Sequence, residues 1–308
     1  MQNQMTPNGR PIVFGEALFD VLPDDKEVLG GAPLNVAWHL QAFGYNPLVI
    51  SRVGSDARGS LIRETMQKWG LDTQGLQTDS QHPTGIVTIS HEASGPAYRI
   101  EPNQAYDHIA FDNTLQNLNS EQCSLLLHGT LALRAYTSHE TLSTLREKLN
   151  IPVFADVNRR PPWWNSSIAQ ETLRNATWVK VNEQELQAIS EMESFQGNQY
   201  QEFATRLVKQ YKNIEILFVT LGAQGSFAIT QNGETFYEKG VPLPATELDT
   251  IGAGDAFTTV AIIGLLERWR IDVILQRANT FAGAICRVHG ATTTDRTIYE
   301  ANSKSWTE

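Results

Sequence analysis

Asp249-Thr-Ile-Gly-Ala-Gly-Asp-Ala-Phe257, DTIGAGDAF, sets a charged Asp255 directly after Gly252-Ala253-Gly254 and directly before a mostly apolar run ending at Leu266. A carboxylate in the first turn of a helix meets the positive end of the helix dipole, a benefit of a few tenths to ~1 kcal/mol. That accounts for the acid but leaves the glycines unexplained. Gly252 and Gly254 remove side chains where the unpaired amide N–H groups of the first turn point outward, so Gly252, Ala253 and Gly254 can form an anion hole. A carboxylate beside such a hole repels a bound anion. It makes chemical sense if it takes a proton from a hydroxyl while the hole receives negative charge. On this stretch alone, helix capping and chemistry weigh about evenly.

Outward from this stretch, the chain alternates strand and helix. Ile12 to Gly15 reads as a strand, Pro33 to Phe43 as a helix closed by Gly44, Pro47 to Val53 as a buried strand, and Asp56 to Trp69 as a helix stopped by Gly70. This alternation predicts a parallel sheet covered on both faces. It breaks at Thr84 to Ser90 and Ala97 to Ile100, which read as an antiparallel hairpin turning at Gly95 and Pro96. It resumes with Leu125 to Leu127, a helix over Ser138 to Leu149, Val153 to Asp156, Trp178 to Val181, a helix from Glu183, and Glu215 to Thr220. Ser226 to Ile229 and Thr235 to Tyr237 flank Asn232-Gly233, a strong hairpin turn. Ala253 to Leu266 and Ile271 to His289 close the chain as helices. The expectation is one α/β domain carrying a small β flap.

The bulk numbers narrow the partners. The 308 residues are 41% apolar, enough for a substantial core, and the net charge of -10 argues against a nucleic-acid or anionic-membrane surface as the main partner. A phosphate-bearing ligand must therefore be held locally, by backbone amides, a metal or a few Lys and Arg. Cys123 and Cys286 are too few for a disulfide framework and are expected as reduced, half-buried thiols. No basic-then-apolar leader opens the sequence, and no window reaches the ~18 apolar residues of a membrane helix, so a cytoplasmic location is expected.

Four further stretches could carry chemistry, each with a plainer alternative. Asp20 follows the first strand, and Gly30-Gly31 precedes Asn35; Asp20 and Asn35 could bind neighbouring sugar hydroxyls, or the stretch could be a capped helix after a turn. Lys180-Val-Asn182-Glu-Gln-Glu185 runs from a strand into a helix. Asn182 and Glu185 sit at capping-box positions, or Glu185 faces a hydrated Mg²⁺ on nucleotide phosphates. Thr220-Leu-Gly222-Ala-Gln-Gly225 suits a ligand at the carboxyl edge of a parallel sheet, or any tight turn. Asp156-Val-Asn158-Arg-Arg160-Pro-Pro-Trp-Trp164 leaves another strand end and also suits a rigid surface loop.

Gly30-Gly31-x-x-x-Asn35 and Asp249-Thr-x-Gly-Ala-Gly-Asp255 resemble the two signatures of the PfkB, or ribokinase-like, carbohydrate kinases, over about Ile12 to Thr294. Phe14-Gly-Glu-Ala-Leu-Phe-Asp20 and Asp156-x-Asn158-x-Arg160-Pro-Pro-x-Trp164 resemble the fructokinase branch. The resemblance implies a three-layer α/β/α fold over residues 1–308, with a mainly parallel sheet and a β lid formed by roughly 16–31 and 84–108. It implies Asp255 as the base that deprotonates the sugar's primary hydroxyl, and Gly252, Ala253 and Gly254 as the hole for the γ-phosphate of ATP. Asp20, Gly30, Gly31 and Asn35 would hold sugar hydroxyls, with Tyr98 and Arg99 of the lid and Arg160 nearby. Asn182 and Glu185 match the family's Asn-x-x-Glu, which positions Mg²⁺ and phosphate through water. Lys180, Thr220, Gly222 and Gly225 match the nucleotide side, and Asn279 with Gly283 fits the adenine pocket. Asp249 and Ile251 lie where many members bind a monovalent cation such as K⁺.

Two departures stand out: Val157 where fructokinases usually carry proline, and Gly290-Ala-Thr-Thr-Thr-Asp-Arg-Thr297 without the proline common there. The expected reaction is ATP-dependent phosphorylation of D-fructose to D-fructose 6-phosphate. 2-Keto-3-deoxygluconate is the nearest rival, since Arg99 and Arg160 could serve its carboxylate. Ribose and nucleosides rank lower because no lysine follows Gly30-Gly31. A non-catalytic sensor is disfavoured by the intact Asp255, and a dehydrogenase by the lack of Gly-x-Gly-x-x-Gly after the first strand. Sugar and ATP are the expected partners, with a homodimer through the exposed lid face as a further expectation.

Overall fold

The computed structural model describes residues 9–24, 26–92, 95–190, 199–243 and 248–307, and all of their side chains except those of 90–92, 95–98 and 307. The chain divides into two compact units, one formed by Asn8–Ser124 and Ala132–Ile151, the other including Leu125–Leu131 and Pro152–Glu308.

The first unit opens with β1 (Arg10–Phe14), β2 (Leu18–Val21) and β3 (Glu27–Gly30), then α1 (Ala32–Ala42), β4 (Leu48–Gly54), α2 (Ala57–Trp69) and β5 (Leu76–Asp79). β6 (Gly85–Glu92), β7 (Gly95–Ile100) and the short α3 (Asn113–Gln116) follow; β8 (Cys123–His128) leads out of the unit, and α4 (Tyr136–Leu149) returns to it. β1, β4 and β5 pair in parallel. Local chemistry sets the ends of α2: the Asp56 carboxylate accepts from the Gly59 N–H at 2.8 Å, and Gly70 closes the helix at φ 87°.

The other strands of this unit form a separate sheet in the order β3-β2-β6-β7. β6 and β7 are antiparallel, as the alternation break suggests, but β2 and β6 run parallel, so this sheet is mixed. Gly95 and Pro96 belong to β7 and pair with Glu92 and His91, so they are not the turn. An edge strand tolerates proline because its N–H side needs no partner. After Ile100 the chain leaves the sheet, and Ala105–His108 is a short 3₁₀ turn.

The second unit continues with β9 (Val153–Asp156), α5 (Ser166–Asn175), β10 (Trp178–Asn182), α6 (Glu183–Ser190) and α7 (Gln199–Gln210). β11 (Ile216–Thr220), β12 (Gly225–Thr230), β13 (Thr235–Lys239), α8 (Ala253–Leu266), α9 (Ile271–Ile285) and α10 (Arg296–Thr307) complete it. β8 to β11 are parallel, and β12 and β13 extend the sheet antiparallel around Gly233 at φ 85°. α8 is buried continuously from Ala256 to Gly264, which explains its near-uniform apolar composition. α9 stops at Ile285 rather than His289, where the Cys286 carbonyl accepts from the Asp249 N–H at 3.1 Å.

Cys123 and Cys286 are free and buried, and burial pushes both thiols up. Among the described residues no helix is long and apolar enough to cross a membrane.

Candidate active site

The α8 N-terminus is built by conformation rather than by a capping side chain. Gly252 is the N-cap at φ 79°, and no side chain bonds the first turn there. A Cβ at Gly252 would lie 2.4 Å from the Ala291 Cα, so only glycine fits both the φ and the space. No side chain caps this turn, but the Ala253 N–H donates to the Thr250 carbonyl at 3.3 Å, so the turn is not wholly open to an anion. Asp255 follows half-buried within that turn.

Lys180 lies beneath this turn. A Cβ on Gly254 would come within 3.1 Å of the Lys180 Nζ, so the missing side chain lets the ammonium approach the helix. Lys180 is 5% exposed and donates to both Asp156 carboxylate oxygens, at 3.0 and 3.2 Å. Burial alone would lower its pKa, but Asp156, Glu185 and Asp255 outweigh burial and raise it, holding the group charged. Thr258, one turn beyond Asp255 on α8, donates its hydroxyl to Asp156 at 2.7 Å.

Asn182 and Glu185 form the expected capping box: the Glu185 N–H donates to Asn182 Oδ1 and the Asn182 N–H donates to Glu185 Oε2, each at 2.8 Å. The other Glu185 oxygen accepts from the Arg159 N–H at 2.8 Å, and the residue is buried. The carboxylate is thus fixed in place while each oxygen keeps a lone pair. No group of three or more His, Cys, Asp or Glu among the described residues is placed to hold a metal ion. A Mg²⁺ here would depend on water and phosphate for most of its ligands, a common arrangement for that ion.

Thr220 ends β11, Gly222 is exposed at φ 57°, and Gly225 opens β12 at φ 106°. Asn279 is committed to the fold: its Oδ1 accepts from Ser226 at 2.9 Å and its Nδ2 faces the Glu238 and Lys239 carbonyls at 3.3 Å. Gly283, one turn along α9, faces Val241 and Leu243 at ordinary contact distance. Asp249 ties its loop together, accepting from the Ile251 N–H at 3.0 Å and from the Gly290 N–H at 2.8 Å. Arg160 is exposed and donates to the Arg159 carbonyl at 3.2 Å.

The residues expected to hold the sugar lie in the first unit. Gly31 precedes α1 at φ 104°, and a Cβ there would sit 2.5 Å from the Glu16 carbonyl oxygen. A Cβ on Gly30 would meet Asp20 Oδ2 at 2.4 Å, so Asp20 and the Gly30-Gly31 turn are side by side. The Asn35 N–H donates to the Gly31 carbonyl at 2.9 Å, which sets Asn35 in the first turn of α1, buried at 7% exposure. Arg99 is exposed on β7 with its guanidinium 2.6 Å from Glu101, while the Tyr98 side chain lies outside the described residues. Sequence reasoning missed Asp156 and Thr258 as members of the α8 site. The one signal was the acid ending the β9 run, since a carboxylate closing a fully buried strand needs a partner.

The pfkB family carbohydrate kinase model matches residues 20–298. A fructokinase of Salmonella typhimurium is 30% identical over 275 residues, covering 84% of each chain. A 5-dehydro-2-deoxygluconokinase of Geobacillus thermodenitrificans is 26% identical over 278 residues, covering 85% of this chain and 79% of that one. The crystal structure of Vibrio cholerae fructokinase in its fructose, ADP and calcium bound form matches with a TM-score of 0.80 at 23% identity, over 96% of this chain and 99% of that one. The fold is therefore the ribokinase-like α/β fold, and the chain belongs to the pfkB family of carbohydrate kinases.

Proposed function

We propose that the protein transfers the γ-phosphate of ATP to a primary hydroxyl of D-fructose, giving D-fructose 6-phosphate. The observation that carries this reading is Asp255 in the first turn of α8, beside a hole shaped by Gly252 and Gly254 and above the Lys180 ammonium. The sugar hydroxyl's proton passes to the Asp255 carboxylate as its oxygen attacks the γ-phosphorus, and the bond to the ADP leaving oxygen breaks. The amides of Gly252 and Gly254, joined by that of Ala253 if it leaves the Thr250 carbonyl, receive the developing charge, with Lys180 beneath them. Thr220, Gly222, Gly225, Asn279 and Gly283 form the nucleotide side. Mg²⁺, when bound, would supply charge neutralisation on the phosphates, and Glu185 would hold it through water. Asp249 and Ile251 offer a K⁺ site, testable as a difference in turnover between K⁺ and Na⁺ buffers.

Asp20, Gly30, Gly31 and Asn35 hold the sugar, and the small sheet serves as a lid that excludes water. Arg99 is engaged by Glu101 in an exposed ion pair, which lessens its draw on a substrate carboxylate and favours fructose over an acidic sugar. The 30% identity to a fructokinase points the same way.

The test is ADP release with ATP, Mg²⁺ and fructose, 2-keto-3-deoxygluconate, 5-dehydro-2-deoxygluconate, ribose, glucose and adenosine. Preference for fructose supports the proposal. Preference for either acidic sugar overturns the substrate while keeping the role of Asp255. Tight sugar binding with no turnover on any of them would indicate a sensor.

A further inference from the structure

His82 and His108, both in the first unit, stack face to face with ring centroids 3.7 Å apart and planes 12° from parallel. His82 lies between β5 and β6, and His108 ends the 3₁₀ turn that follows β7. The stack therefore joins the segment entering the β6–β7 pair to the segment leaving it. Neutral bonds join the same segments. The Ala105 N–H donates to the Pro83 carbonyl at 2.9 Å, and the Gln104 side chain donates to the Ile86 carbonyl and accepts from the Ile86 N–H, each at 3.2 Å.

The charges around the rings already cancel. Asp79 of β5 faces His82 Nδ1 at 3.1 Å and is held by the Arg52 guanidinium of β4 at 2.8 Å. Asp107, beside His108 in the 3₁₀ turn, accepts two 2.7 Å hydrogen bonds from Arg134. Arg52 also donates to the His108 carbonyl at 2.9 Å, and His108 Nε2 lies 2.9 Å from the neutral Asn103 Oδ1. Two carboxylates and two guanidiniums sum to zero, so protons taken by the rings have no spare negative charge to meet. Once one ring is charged, the other faces a cation across the stack. Burial, His82 and Arg52 hold His108 below the ordinary imidazole value, against the pull of Asp107 and Asp79.

We propose that the His82–His108 stack is an acid-sensitive latch at the root of the β6–β7 pair. With the rings neutral it clamps the entering and leaving segments together, and protonation of both drives them apart. The unfolded chain binds its histidine protons near pH ~6.5, whereas the folded stack resists the second proton. The latch is therefore strongest above that pH and weakens as pH falls through it. β6 pairs in parallel with β2, which carries Asp20, so the latch acts next to the strand proposed to hold the sugar.

The test is amide hydrogen exchange, read as protection factors at about pH 7.5 and 5.5, on wild type and His108→Phe. The variant keeps a stacked ring and removes the titrating nitrogens. In wild type, protection of residues 86–89 and 105–109 should fall roughly fivefold on acidification, while β1 and β4 of the same unit change less than about twofold. His108→Phe should keep its protection at both pH values. A fall of equal size in β1 and β4, no fall at all, or the same local fall in His108→Phe would each overturn the latch.

If His108→Phe does not fold, ring-carbon NMR shifts of wild type decide. His108 titrating below about 6.5, with the local exchange loss tracking it, supports the latch; titration at or above that value overturns it. No readout needs a substrate, so the latch stands or falls separately from the kinase reading.

Discussion

The residues proposed for the sugar and those proposed for the phosphate lie in different units and use opposite construction. On the sugar side, position comes from backbone conformation: Gly31 at φ 104° against the Glu16 carbonyl, and Gly30 against Asp20. On the phosphate side, it comes from buried charge: Asp156, Lys180 and Thr258 bonded together under the first turn of α8. Neutral hydroxyls need donors and acceptors at fixed places, which a rigid turn supplies cheaply. A phosphoryl group in transfer needs a fixed electrostatic field. Burying a lysine to make one is costly unless its partners are held in place. The sugar side should therefore fail through strain and affinity, and the phosphate side through rate.

The largest expected effect breaks the phosphate side. Asp255→Asn should lower kcat by ~10² to 10⁴-fold while sugar affinity stays similar. The check is ADP release beside calorimetric fructose binding, and near-normal turnover would remove Asp255 as the base. Gly254→Val comes next. Its branched side chain lands on the Lys180 Nζ, which already stands 3.1 Å from a Cβ position, and fills the hole. We expect roughly a 10²-fold loss in kcat/KM for ATP; no loss would place the phosphate elsewhere.

Gly31→Ala probes the other side. It forces a side chain into φ 104° and against the Glu16 carbonyl, costing ~1 to 3 kcal/mol. A thermal melt should show the loss, with KM for fructose raised and ATP affinity retained. A variant with unchanged stability and fructose KM would contradict the strain argument.

The smallest effect is on stability and should leave the phosphate side untouched. Asp79 closes β5 at 2% side-chain exposure, 2.8 Å from the Arg52 Nε and 3.1 Å from the His82 Nδ1. Burial works against its charged form. The Gln81 and His82 N–H groups, the His82 ring and Arg52 overcome that and hold the carboxyl at about 2, below its ordinary 3.8. A depressed carboxylate contributes its stability above the ordinary value and loses it as pH falls towards 2. Asp79→Asn should therefore cost ~1 to 2 kcal/mol at pH 7, and the gap to wild type should shrink below pH 4. Denaturant midpoints across pH 3 to 7 measure this, and a gap that widens on acidification would reverse the assignment.

Much of the scaffold is legible without coordinates because its signals are local. Asp56 and Gly70 bracket α2, Asn232-Gly233 turns the β12–β13 hairpin, and Asn182 with Glu185 caps α6, all through neighbours a few residues apart. α7 buries Ala204, Leu207 and Val208 along one face, an amphipathic spacing that the reading of the sequence passed over. β2 and β3 are short and only partly buried, and their sheet depends on β2 pairing with β6 across a long stretch of chain.

By itself the sequence determined the α/β alternation, the glycine-bordered acid that opens α8, and the membership these motifs imply. Each is written within a few residues, where backbone geometry and capping act. Tertiary structure alone decided that Asp156 would meet Lys180, 24 residues on, and Thr258, 102 residues on. No local pattern encodes that meeting. It follows from the parallel register of β9 and β10 beneath a largely buried helix, where a lysine stays charged only if carboxylates surround it.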